Sequence, residues 1–177
     1  MEKNMNVKKM ILNAILIAIG ALLHQITPAL GLPMQPDFAI AMLFIIILIN
    51  EDYKTVLISS VIMGVITALT TKFPGGQLPN IIDKLITGHI IYFIFKGMGN
   101  KIKDNIKIIV ALSFGTIVSG VVFLLSASIL VGLPGSFTTL VVVIVLPTVL
   151  MNIVLGMVLY KSIEVALKAT GVLVNNK

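Results

Sequence analysis

The chain has 177 residues, 58% of them hydrophobic and 11% charged, with a formal net charge of +6 and no cysteine; its mean hydropathy is +1.10. Soluble domains are about 45–50% apolar and about 25% charged, so the composition excludes a soluble domain and points to an all-α integral membrane protein folded as one helical bundle. The missing cysteines exclude a disulfide framework and thiolate chemistry, and the positive charge is distributed by loop, as membrane topology requires, rather than as a nucleic-acid surface.

The N-terminus, MEKNMNVKKM, leads into a first apolar segment over residues 9–26. It is longer than the apolar part of a secretory signal and no cleavage site follows, so a retained helix is expected. It stops at Thr27-Pro28, because proline disfavours helix at the residue before it. Ala14, Ala18, Ala21 and Gln25 fall on one face. Small residues let membrane helices approach closely, so this stripe serves either packing within the bundle or docking of another protein. His24 and Gln25 close the helix, where they either meet interfacial water or line a site. A loop over 27–35 carries Pro28, Gly31 and Pro33.

Segment two covers 36–49. Proline suits the first turn of a helix and an acid there complements the helix dipole. A helix-start role therefore accounts for Asp37, with contact to a ligand ammonium as the alternative. After the charged loop NEDYK, segment three covers 55–69. Ser60, Gly64, Thr67 and Thr71 form a second small and weakly polar stripe. The stretch Thr67 to Lys84, TALTTKFPGGQLPNIIDK, then places dense polar chemistry between two apolar runs. It reads as the main wall of a small-molecule site at one membrane face.

Segment four covers 81–98, with Asn80 placed as its N-cap and Asp83 three residues on, a capping-box-like spacing. Segment five, 108–131, carries Gly115, Ser119, Phe123 and Ser126 on one face and is expected to be the central helix. After the turn Gly132-Leu133-Pro134-Gly135, segment six covers 137–160. Pro147 is expected to kink it, and Asn152 to face the interior, because polar groups in lipid are costly. An amphipathic and then polar tail follows from Lys161. Six segments put both termini on one side. The two termini, the NEDYK loop and the loop between segments four and five, with their helix ends, hold 11 of the 13 lysines, and there is no arginine. The positive-inside rule then makes both termini cytoplasmic and places Thr67–Lys84 outside.

The sequence contains no HExxH, no GxSxG and no Walker-type GxxxxGK[ST]. His24 and His89 lie on different helices. No enzyme, metal or cofactor is expected. What remains is a binding surface. Lys72 and Lys84 could meet a ligand carboxylate and Asp83 an ammonium. Phe73 and Phe137 supply aromatic faces. His24, Gln25, Thr70, Gln77 and Asn80 supply hydrogen bonds, and Gly75 and Gly76 allow close approach of the backbone. For Asp83 and Lys84 the alternative is a helix cap beside a snorkelling interfacial lysine.

Ala14-Ile15-Leu16-Ile17-Ala18 in helix one resembles the AxxxA of the substrate-binding S components of energy-coupling factor (ECF) transporters. More specifically, the string Ala68 to Lys84 with FPGGQLPNIIDK is similar to the TrpP-type tryptophan transporter family. Gly20-Ala21-Leu22-Leu23-His24, Pro36-Asp37 and Val131-Gly132-Leu133-Pro134-Gly135 add to the likeness, which covers nearly the whole chain. The resemblance implies a subunit that binds tryptophan or a related aromatic molecule from outside. It also implies docking through Ala14, Ala18 and Ala21 onto a transmembrane coupling subunit, with ATP hydrolysed by separate ATPase subunits. An S component for another ligand such as a vitamin, a solitary carrier, and a non-transport scaffold are the alternatives.

Overall fold

The computed structural model describes residues 2–29, 34–50 and 52–169. Gly31 and Pro33 of the first loop, Glu51, and the tail beyond Ala169 lie outside the described residues. Within them the chain forms six helical rods: α1 Glu2–Ile26, α2 Ala39–Ile49, α3 Tyr53–Leu69, α4 Gln77–Met98, α5 Asp104–Leu130 and α6 Phe137–Ala169. Val7–Ile26 of α1 and the whole of α4, α5 and α6 are long and apolar enough to cross a membrane, whereas α2 and α3 are shorter. The protein is a multi-pass helical membrane protein.

Local chemistry sets the ends. Asp52 accepts a hydrogen bond from Thr55 N at 2.8 Å to start α3, and Ser136 accepts from Thr139 N at 3.2 Å to start α6, as N-caps do. Thr27 Oγ donates to Leu23 O at 2.6 Å as α1 ends before Pro28. α1 reaches back to Glu2, α5 to Asp104, and α6 forward to Ala169, each longer than its apolar run, because charged residues continue a helix outside lipid. α6 contains a π-helical turn at Val141–Val145, just before Pro147, and α5 one at Ala111–Gly115.

Two expected starts are corrected. α4 begins at Gln77, with Gly76 as its cap. Asn80 is therefore inside the first turn, where its side chain donates to Gly76 O at 2.8 Å, and the capping box of Asn80 and Asp83 does not form. Pro79 causes no break, since the first-turn N–H groups have no partner within the helix. α2 begins at Ala39, and Asp37 precedes it, accepting from Ala39 N at 2.9 Å and Ile40 N at 3.3 Å.

The central helix is α2 rather than the helix expected, α5. Every residue from Ala39 to Ile46 is 0% exposed, and side chains of α1, α3, α4, α5 and α6 pack around it. It is apolar all round, and such a helix has no face to give to water. α5 is only half buried, because its outer face keeps exposed apolar residues such as Leu125 and Ile129. Its glycines set close contacts: a Cβ at Gly115 would stand 2.5 Å from Phe44, and one at Gly120 2.6 Å from Val145.

The Ser60–Gly64 stripe of α3 is spent on α4. A Cβ at Gly64 would lie 3.1 Å from Ile81 Cα, and one at Gly88 would lie 2.1 Å from Ser60 Oγ. The α1 stripe behaves differently: Ala14 and Ala18 are exposed and Ala21 is half-buried, while Gly20, on another face, abuts Met63 and Met42. At the opposite end from the loop over 70–76, Asn13 and Asn50 tie α1 to α2 with reciprocal amide hydrogen bonds of 3.2 and 2.9 Å.

Candidate functional site

The C-terminal ends of α1 and α3 and the N-terminal ends of α2 and α4 meet at one end of the bundle, beside α5 and α6. A cavity that opens to solvent lies among them. Its lining combines two chemistries. Met34, Phe73, Phe123, Ile144 and Val145 belong to one apolar cluster, with Ile40 also apolar, and His24, Gln35, Asp37, Asn80, Asp83 and Ser119 are polar.

The apolar wall depends on the loop between α3 and α4. Thr71 Oγ accepts from Phe73 N at 3.3 Å, and Gly76 N donates to Phe73 O at 3.0 Å. Gly75 turns the chain with a φ of +73° and sits where a Cβ would be 2.6 Å from Val131; glycine meets both demands without steric cost. This turn drives Phe73 inward until it is 3% exposed. Its ring meets Phe123 edge to face, 5.3 Å between centroids at 88°, a preferred aromatic geometry.

The polar wall is an ionic cluster. Lys84 has no exposed side-chain surface, and its ammonium pairs with Asp37 at 2.5 Å and with Asp83. Asp83 also accepts from Thr87 Oγ and Ser119 Oγ, both at 2.9 Å. Asn152 of α6 donates to the Asp37 carbonyl at 3.0 Å and to Thr116 Oγ at 3.1 Å, so the expected inward-facing asparagine is the brace behind the acids. Charges out of water are costly unless paired and fully hydrogen-bonded. Here the pairing is uneven, with two carboxylates to one ammonium. Asp37, whose side chain is 21% exposed, and Asp83 both border the cavity.

The residues singled out from sequence take different places. His24, Phe73, Asn80 and Asp83 line the cavity. Lys84 lies behind the acids, fully buried, rather than snorkelling to the interface. Thr70 shares a 2.6 Å hydrogen bond with His24 Nδ1. Lys72 is exposed and donates to the carbonyls of Gln25, at 3.2 Å, and of Thr27, clamping the end of α1 to the loop. Gln25, Gly75 and Gln77 are exposed, Gly76 is buried against Phe73, and Phe137 packs on the apolar cluster beside Phe123.

Sequence reasoning missed Gln35, Thr116 and Phe123 as cavity residues and left Asp37 with a sufficient local explanation. Signals existed. Gln35 is a lone amide between Met34 and Pro36, and Ser119 and Phe123 lie on the polar face of segment five. Residues 34–38, the non-helical lead into α2, carry part of the wall. Irregular backbone within a membrane bundle is tolerated where it is buried in protein or lines a cavity.

Residues 6–168 match the family model described as tryptophan transporter TrpP. The chain is 49% identical over 178 residues to a protein of Clostridium perfringens (strain 13 / Type A) named "Probable tryptophan transport protein", covering 95% of this chain and 97% of that protein. Proteins with the same printed name from Clostridium acetobutylicum and Bacillus subtilis (strain 168) are 45% and 37% identical, each over 93% of this chain and 96% and 95% of their own lengths. No solved structure matches.

Proposed function

The chain belongs to the TrpP tryptophan transporter family, and from that premise we propose that it is the membrane-embedded substrate-binding subunit of an ECF-type uptake system. It takes up tryptophan or a closely related aromatic amino acid, bound from the extracellular side. The observation that carries this reading is the pairing, within one cavity, of a two-acid, one-lysine cluster with an edge-to-face phenylalanine wall. The α-ammonium of an amino acid supplies the second positive charge that Asp37 and Asp83 lack. The indole fits against Phe73 and Phe123, where aromatic contact adds to apolar burial.

In this reading all six rods cross the bilayer, and the lysine distribution keeps both termini in the cytoplasm. α2, with 11 residues, is roughly 16 Å long; its non-helical flanks complete the crossing inside the bundle. The exposed Ala14–Ala18 face of α1 docks onto a transmembrane coupling subunit, and ATPase subunits supply the energy. The test is uptake of labelled tryptophan by cells carrying this chain with and without a coupling subunit and its ATPases. Uptake only with the full set is expected. Equal, proton-gradient-dependent uptake by the chain alone would replace this reading with a solitary carrier.

A further inference from the structure

We propose that Gln35 is the specificity-determining residue of the cavity, and that its side-chain oxygen accepts a hydrogen bond from the ring N–H of the ligand. The proposal rests on the tryptophan reading above and adds which atom of the ring is recognised.

Gln35 is 5% exposed and borders the cavity. Its Nε2 donates to the main-chain carbonyl of His24 at 2.7 Å. A carbonyl only accepts, so the amide orientation is fixed: the NH₂ faces His24, and the oxygen is the free end. That oxygen is buried and has no partner. Two other side chains among the described residues share this condition, Ser60 and Asn152, and neither borders the cavity. Buried polar atoms are nearly always satisfied, and an orphan calls for an explanation.

The location suits an indole. Met34, the preceding residue, packs on the apolar cluster that holds Phe73 and Phe123, and Asp37, two residues on, belongs to the ionic cluster. Gln35 therefore joins the wall assigned to the ring to the wall assigned to the ammonium. An indole nitrogen is a donor only. The acids are taken up by Lys84 and, in the reading above, by the ligand ammonium. Among the described residues that line the cavity, Gln35 is the one whose side-chain acceptor is buried with no partner. A site built to hydrogen-bond a ligand N–H rejects the analogue that lacks it, because the site's own polar atom is then left buried and unpaired.

The test compares L-tryptophan with its benzothiophene analogue, in which sulfur replaces the ring N–H. Affinities are measured by calorimetry on the purified full chain, and on Gln35→Met and Gln35→Glu. Wild type is expected to prefer tryptophan by about tenfold or more. Gln35→Met should bind both ligands equally, and Gln35→Glu, which keeps an acceptor oxygen, should retain the preference. Equal, tight binding of both ligands by wild type overturns the role of Gln35 and leaves the tryptophan reading standing. An undiminished preference in Gln35→Met overturns it as well. Absence of binding of either ligand to wild type overturns the tryptophan reading itself. The wild-type comparison needs no variant, so it decides even where Gln35→Met does not fold.

Discussion

At the scale of single residues, the site is organised by a lysine with no route to water. Lys84 lies between two acids of different origin, Asp83 beside it in α4 and Asp37 from the lead into α2. Removing the ammonium leaves two buried carboxylates facing each other. Lys84→Met is therefore expected to cost about 3–5 kcal/mol, measured as a loss of thermal stability in detergent; an unchanged melting temperature would contradict the pairing. Asp37→Asn has the opposite character. It leaves Lys84 and Asp83 as a matched pair, so the fold should persist while tryptophan affinity falls about tenfold or more. Part of this was visible in the sequence, which marked Asp83, Lys84, His24 and Phe73 as chemistry out of place in an apolar chain. The cluster was not, because each member has an adequate local explanation: an acid before a helix, a lysine near a membrane face. Asp37 and Lys84 are 47 positions apart, and only packing brings them together.

At the scale of helices, two stripes of small residues with the same spacing have different surroundings. The α3 stripe brings α3 against α4, with Ser60 directly under Gly88. Gly88→Ala should force these helices apart at a cost of about 1–3 kcal/mol, and Ser60→Gly in the same chain should restore the lost thermal stability. A double variant no better than Gly88→Ala would show that the contact does not limit the approach. The α1 stripe leaves Ala14 and Ala18 uncovered, as a docking face requires. Ala14→Leu or Ala18→Leu should leave ligand affinity unchanged and reduce uptake through the coupling subunit; intact uptake would remove the docking role. Spacing alone does not separate the stripes, since both have i, i+4, i+7 positions and small side chains. Helix positions were legible from apolar runs and punctuating prolines. The start of α4 was misplaced because Asn80 reads as an N-cap, although Pro79 before it is compatible with the first turn of a helix.

At the scale of the whole molecule, the bundle buries one short helix from Ala39 to Ile47 and sets the cavity at its end. Nothing in the residue pattern ranks α2 as central. A uniformly apolar helix has the same composition whether lipid or protein surrounds it, and the Ser/Gly face of α5, which reads as the mark of a central helix, instead forms part of the cavity wall. Orientation is open to a direct check, because the chain has no cysteine. Gln77 and Lys101 are exposed at opposite ends of α4 and beyond it. A membrane-impermeant maleimide should label Gln77→Cys in intact cells and Lys101→Cys only after permeabilisation; the reverse pattern would invert the topology. A tryptophan site built on an ammonium-seeking acid cluster is tested by calorimetric titration of the purified chain with L-tryptophan and with indole-3-propionate, which lacks the ammonium. Tryptophan should bind and indole-3-propionate little or not at all. Equal binding of the two, or no response to tryptophan beside clear binding of a vitamin, would contradict it.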